Sequence, residues 1–397
     1  MVNTASPTPN NAQSSFVLTR HEIIKASTRL QTPSQDIQDT QPQSQPSQSP
    51  SPSPQMPCPG VRPIGVGEVP RRIIAKAVLS LVRLDIQEAA GPLQVCAGQD
   101  GGCEAAIHAM RQFFAEEEVE GALLVDATNA FNTINRQAAL HNIKSICPPL
   151  SQILVNTYRS PIRCIITGDG EITSSEGTTQ GDPLAMAMYA LAVKPLIGEL
   201  QREVPLVKQV WYADDATGTG TCKDLRVFWD SLQLQGSVYG YHPNAAKTFL
   251  VVKEEHEERA RELFQGTEVQ ITSSGKRHLG AAIGSRTFIE EYVMSKVQKW
   301  NDEIETLANI AVTQPHAAYS AYIHGLSSHW TFLTRTIPNI ADLLQPLEDA
   351  IQHKLIPALT GRPPCSMEER DILALPVRLG GMGFRNNQPN INFTAQF

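Results

Sequence analysis

The sequence predicts an α+β protein, and three observations carry that expectation. Short apolar runs end in carboxylates, at Gly121–Asp126 and at Leu206–Asp215. The segment Gly168-Asp169-Gly170 lies between Arg163–Ile166 and Glu171–Thr173, a hairpin pattern. Residues 183–201, a stretch near 224–238 and most of 285–397 have the length and apolar spacing of helices.

The elements follow in chain order. Residues 32–59 are rich in Ser, Pro and Gln and poor in large apolar side chains. Such a segment cannot bury enough surface to offset chain entropy, so 1–59 is expected to be disordered. A short helix over 14–31 (Phe16, Val17, Leu18, Ile23, Ile24, Leu30) would be its one ordered piece. The folded part then starts near 60, and a hydrophobic content of 41% suffices for a full core. A helix is predicted at 104–118. Gly121-Ala122-Leu123-Leu124-Val125-Asp126 reads as a buried strand with a carboxylate at its end. Gly177-Thr178-Thr179-Gln180-Gly181-Asp182-Pro183 opens a helical stretch, with Asp182 as N-cap and Pro183 as first helical residue.

Tyr212-Ala213-Asp214-Asp215 follows Leu206, Val207, Val210 and Trp211 and precedes Thr217-Gly218-Thr219-Gly220. That is strand, tight turn, strand, with adjacent carboxylates at the turn. Neighbouring like charges disfavour joint ionisation. A hard divalent cation relieves the cost, and Mg²⁺ in particular is held by one or two carboxylates plus substrate phosphates. Alone, such a pair is more often a solvated turn former than a ligand set. Beyond it, Phe249–Val252 is strand-like, and Phe288–Leu307, Pro315–Thr336 and Ile340–Leu359 are helix candidates.

The ordered set Asp126-x4-Phe131, Gln180-Gly181-Asp182-Pro183 and Tyr212-Ala213-Asp214-Asp215 resembles reverse transcriptases, and within them the non-LTR retrotransposon branch. The resemblance runs from about Arg62 to about Gly284. It implies a right-hand polymerase, with fingers and an antiparallel-sheet palm over 60–284 and a helical thumb over 285–397. It implies an RNA-directed DNA polymerase that uses two Mg²⁺ ions, with Mn²⁺ as a substitute. RNA template, DNA primer and dNTP would be its partners. Asp126, Asp214 and Asp215 are then the metal ligands and catalytic carboxylates. Phe131 is the bulky gate against a ribose 2′-hydroxyl, Gln180 and Gly181 shape the nucleotide and template surface, and Lys247 stands near the leaving pyrophosphate. His278-Leu279-Gly280 resembles the primer-grip turn. Arg62 is the triphosphate contact and Arg72 a second basic position, whereas Arg71 and Lys76 read as general backbone contacts or solvated charges. Without the family, Phe131 would read as ordinary core and Lys247 as a solvated lysine. Trp300 and Trp330 read as helix-packing core.

The chain also departs from the family. Gln55-Met56-Pro57-Cys58-Pro59-Gly60 lacks the usual lysine ahead of Arg62, and Gly98-Gln99-Asp100-Gly101-Gly102 contains no basic residue. The net charge of −7 shows no strong basic footprint. Glu116-Glu117-Glu118 with Glu120, and Glu254-Glu255 with Glu257-Glu258, read as solvated helix faces. The seven cysteines are scattered without a CxxC pair, which points to reduced thiols and no zinc site. Neither a signal peptide nor a membrane span is expected. No endonuclease or RNase H signature accompanies the polymerase motifs, so the chain reads as a fragment of a larger element protein, intracellular and nuclear. Two alternatives stay open: an RNA-directed RNA polymerase on the same fold, against which Phe131 argues, and a catalytically silent remnant or adaptor.

Overall fold

The computed structural model describes residues 64–166 and 170–385. Arg62, the segment 1–59 and the hairpin tip at Gly168 and Asp169 lie outside them. Nine strands are found among the described residues: β1 (Gly121–Val125), β2 (Ile162–Ile166), β3 (Gly170–Ser174), β4 (Lys208–Tyr212), β5 (Asp215–Gly220), β6 (Phe249–Val252), β7 (Gln270–Thr272), β8 (Gly275–His278) and β9 (Ala281–Gly284). The main sheet has the order β4-β5-β1-β6-β7; β2–β3 and β8–β9 are separate hairpins.

β1 is the centre of the main sheet and every one of its residues is buried. Its pleat explains the unbroken apolar run. Leu123 and Val125 face one core with Trp211, Phe228, Trp229 and Leu250. Ala122 and Leu124 face the other way, towards Ala106, Met110, Val210 and Ile283. A strand covered on both faces has no position left for a polar side chain until it ends, at Asp126. Helices Ala185–Ala192 and Cys222–Tyr239 contribute to the first core, and helix Gly102–Phe114 to the second.

The main sheet departs from the antiparallel sheet that the family resemblance implies. β6 and β7 pair in parallel, because the connection between them crosses over through helix Glu257–Leu263. The outer edge of β4 is also covered. Trp211 N–H donates to Leu93 O at 2.7 Å and Val95 N–H to Trp211 O at 2.9 Å, so residues 93–95 lie along β4 as a short parallel bridge.

Several expected helices are interrupted. The 183–201 stretch is two helices, Ala185–Ala192 and Lys194–Glu203, separated where Pro195 supplies no N–H. The first starts later than predicted. Asp182 Oδ1 accepts from Leu184 N–H at 2.9 Å, while Oδ2 is held by Arg71 at 2.6 Å and by the Tyr158 hydroxyl at 2.8 Å. Arg71 therefore ties the Val69–Leu81 helix to this junction and is not a solvated charge. The Gly102–Phe114 helix stops ahead of the acidic run, since carboxylates oppose the dipole of a helix C-terminus. Two acids of that run are partnered instead: Glu116 pairs with Lys208, and Glu120 accepts from Cys222 N–H at 2.7 Å and from Arg259 at 3.1 Å.

In the C-terminal third, helix Arg286–Ala311 is longer than expected. The next stretch breaks at Gly325, into Pro315–His324 and Thr331–Thr336. The last is a chain of short turns: Gln345–Ala350, a π segment Ile351–Leu355 and Ile356–Thr360. Pro357, with no N–H for the carbonyl one turn back, accounts for that widening. These helices share a core in which Trp300 and Trp330 meet edge-on at 5.9 Å, the packing role expected of both. Arg370 is buried there against Glu348 and donates to the Phe384 carbonyl.

Candidate active site

The strand register brings the acidic residues together. Val125 pairs with Ala216, and Tyr212 with Asp215. One position further along, Asp126 follows β1 and Asp215 opens β5, so the two lie on neighbouring chains at one end of the sheet. Asp214 completes the turn between β4 and β5. The backbone past Asp126 stays paired: Asn244 N–H donates to Asp126 O at 2.8 Å and Thr128 N–H to His242 O at 2.8 Å. That pairing delivers the 3₁₀ turn Ala245–Lys247 to the site. Lys247 Nζ lies 3.9 Å from Asp126 Oδ2, with the lysine 70% exposed and the aspartate 38%. Such an open pair contributes little stability. Its lysine is available to a second anion.

Ala213 has φ of +55°, in the left-handed region, and is buried. A non-glycine residue there costs roughly 1–2 kcal/mol. Gln94 holds it: Ala213 N–H donates to Gln94 Oε1 at 3.0 Å, and Gln94 Nε2 donates to Ala213 O at 3.1 Å. Two such bonds contribute about 2 kcal/mol, enough to offset the strain. The next carbonyl, of Asp214, accepts from the Tyr241 hydroxyl at 2.9 Å. Tyr241 is buried beside Trp211, with ring centroids 5.3 Å apart. Burial first, then the charges of Asp214, Asp215 and Asp126, push its pKa well above the ordinary value. It therefore stays a donor.

Phe131 sits on the short helix Ala130–Thr133, half-buried, and stacks on the buried ring of Tyr189 at 4.5 Å and 25°. Its carbonyl accepts from Thr178 N–H at 2.6 Å, which docks the Gly177–Gly181 loop on it. Buried Arg136 fixes the start of that loop, donating to the carbonyls of Ser174 (2.9 Å), Glu176 (2.8 Å) and Gly177 (2.9 Å). At its other end Gly65 N–H donates to Gln180 O at 2.7 Å. Gly181 has φ of +97°, and a Cβ there would lie 2.5 Å from Gly65 O, so glycine is required. Arg72 is half-buried, and among the described residues its Nε has no acceptor. Asp126, Asp214, Asp215, Lys247, Phe131, Gln180 and Gly181 thus all belong to elements joined around one end of the sheet.

The β8–β9 hairpin is tied in from three sides. His278 Nε2 and Thr217 Oγ1 are 3.0 Å apart, Tyr292 donates to Gly280 O at 2.8 Å, and the Cys103 thiol donates to Leu279 O at 3.6 Å. Burial holds the His278 pKa down at about 4, so the ring is neutral.

Among the described residues, no three His, Cys, Asp or Glu side chains stand close enough to hold a metal ion by themselves. The donor set nevertheless fits Mg²⁺, which is held through one or two carboxylates together with substrate phosphates and keeps several waters. Sequence reasoning missed Gln94, Arg136, Tyr189 and Tyr241. Each is a buried residue whose partner is remote in sequence, and no local pattern marks it.

Residues 50–283 match the family model "Reverse transcriptase (RNA-dependent DNA polymerase)". The Retrotransposable element SLACS 132 kDa protein of Trypanosoma brucei gambiense is 24% identical over 351 residues, covering 82% of this chain and 27% of that protein. The chain thus spans about a quarter of that relative's length. Among solved structures, apo telomerase from Candida tropicalis aligns with a TM-score of 0.41 and 12% identity over 83% of this chain and 60% of that one. Telomerase from the same organism in complex with a TWJ fragment of telomeric RNA aligns with a TM-score of 0.43 and 14% identity, over 81% and 52% respectively. The family match covers more than half of the chain and includes the whole carboxylate end of the sheet: the chain belongs to the reverse transcriptase (RNA-dependent DNA polymerase) family.

Proposed function

We propose that this chain extends a DNA primer on an RNA template by adding dNTPs, as the polymerase part of a non-LTR retrotransposon protein. The observation that carries the reading is the meeting of Asp126 with the Asp214–Asp215 turn at one end of the sheet, with Lys247 Nζ 3.9 Å from Asp126. Two bound Mg²⁺ ions, or Mn²⁺ in their place, would stabilise the attacking and leaving oxygens of an in-line phosphoryl displacement. Asp126 and Asp214 would hold them together with the triphosphate, and Asp215 would add to the local negative charge. Lys247, next to Asp126 and largely exposed, would meet the departing pyrophosphate. Phe131, its ring backed by Tyr189, would occupy the space of a ribose 2′-hydroxyl. Gln180 and Gly181 would form the surface under the nucleotide, and Arg62 and Arg72 would contact triphosphate or template.

Residues 60–284 would serve as fingers and palm, and 285–397 as a thumb that grips the hybrid by its shape. Integration at a chromosomal site would place the protein in the nucleus.

Single-nucleotide addition tests the reading against RNA synthesis. With an RNA template and DNA primer, the wild type is expected to prefer dTTP over UTP. Phe131→Val is expected to narrow that preference at least about tenfold, the equivalent of about 1.4 kcal/mol. Equal use of both nucleotides by the wild type contradicts the gate.

A further inference from the structure

We infer that Gln94 and Tyr241 are positioning residues that clamp the Ala213–Asp214 turn in the one conformation that presents Asp214 to metal and triphosphate. The inference rests on the functional reading above and deepens it.

The turn is the only part of the carboxylate cluster whose backbone is strained. Ala213 has φ of +55°, whereas Asp126 and Asp215 flank regular strand pairs. In a two-residue hairpin loop, a positive φ at the first position aims the second residue. The direction of the Asp214 side chain therefore depends on Ala213 staying where it is. The β4–β5 strand pairs end at Tyr212 and Asp215, and the two turn residues lie beyond them.

Side chains from outside the hairpin take over. The Gln94 carboxamide meets Ala213 with both of its ends, and the Tyr241 hydroxyl takes the Asp214 carbonyl from another direction. Both side chains are buried and both come from distant sequence, 119 and 27 residues away. Gln94 is itself fixed, because its neighbours Leu93 and Val95 are bonded to Trp211. Tyr241 is fixed by its packing against Trp211. Trp211 thus anchors both arms of the clamp. A residue that served only the fold would satisfy any nearby carbonyl; these satisfy three of the four backbone polar groups of the two turn residues.

The test uses Tyr241→Phe, which removes one hydroxyl and keeps the ring, and Gln94→Met, which keeps the length and removes both bonds. Asp214→Asn is the control. Two readouts are taken on the full chain. One is the Mg²⁺ concentration giving half-maximal primer extension. The other is binding of Tb³⁺, a hard oxygen-seeking ion excited through Trp211 and Tyr212, followed by its luminescence. Each single variant is expected to weaken Tb³⁺ binding and raise the Mg²⁺ requirement about fivefold, with dTTP KM at saturating Mg²⁺ unchanged. Wild-type Tb³⁺ affinity and Mg²⁺ requirement in Tyr241→Phe and Gln94→Met would overturn the clamp. A wild type that binds Tb³⁺ through Asp214 but extends no primer would overturn the polymerase reading alone, and the Tb³⁺ titrations of the two variants would still decide the clamp. A wild type whose Tb³⁺ binding equals that of Asp214→Asn would overturn both.

Discussion

Replacing His278 by Gln should flatten the acid limb of the protein's stability curve. His278 is 8% exposed and faces Thr217 across 3.0 Å. Its pKa falls from 6.5 to about 4, and the cause is burial. Unfolded, the ring takes up a proton near pH 6.5; folded, it resists until about pH 4. Between these values the unfolded chain binds more protons, so stability falls as the pH falls. The stability tied to the neutral ring is complete above pH 6.5 and is lost by about pH 4. At 1.36 kcal/mol per pKa step, the loss is about 3 kcal/mol. His278→Gln keeps an amide of similar reach and does not titrate. Urea midpoints at about pH 7, 5.5 and 4 for both proteins give the comparison. Carboxylates that titrate in the same range do so in both, and cancel. The wild type should lose about 3 kcal/mol more than the variant. Parallel pH profiles, within about 0.5 kcal/mol, would refute the burial argument.

Two other substitutions probe the loop beneath Phe131. Arg136→Ala removes the donors to the Ser174, Glu176 and Gly177 carbonyls and should cost about 3–5 kcal/mol, read as a lower urea midpoint. Gly181→Ala puts a Cβ 2.5 Å from Gly65 O at φ of +97°. It should lower the melting temperature and raise the KM for dNTP, where a neutral outcome would show that the Ile64–Gly65 chain is free to shift.

The parts of this site that could be read from the sequence are those where chemistry and pattern coincide in one short segment. β1 announces itself because a strand covered on both faces is apolar until it ends, and its end is Asp126. The β4–β5 hairpin announces itself because two carboxylates between an apolar run and a Thr/Gly stretch need a turn. Helix ends were less legible. Pro195, Gly325 and Pro357 are visible breakers, yet an apolar face that continues across them reads as one helix. The supports of the site were hidden for a different reason. Gln94 looks like any glutamine between Leu93 and Val95 until Ala213, far along the chain, is folded against it. Arg71 likewise looks solvated until the fold brings Asp182, 111 residues along the chain, within 2.6 Å of its guanidinium. The parallel β6–β7 pair depended on whether a short helix returns its chain to the same edge, which composition does not decide.

The most direct test of the account is primer extension on poly(rA)/oligo(dT) with Mg²⁺ and dTTP, comparing the wild type with Asp214→Ala. Extension by the wild type alone, abolished by chelation of the metal, is the expected result. Absence of product from both proteins, each shown to be folded, or equal extension by both, would contradict it.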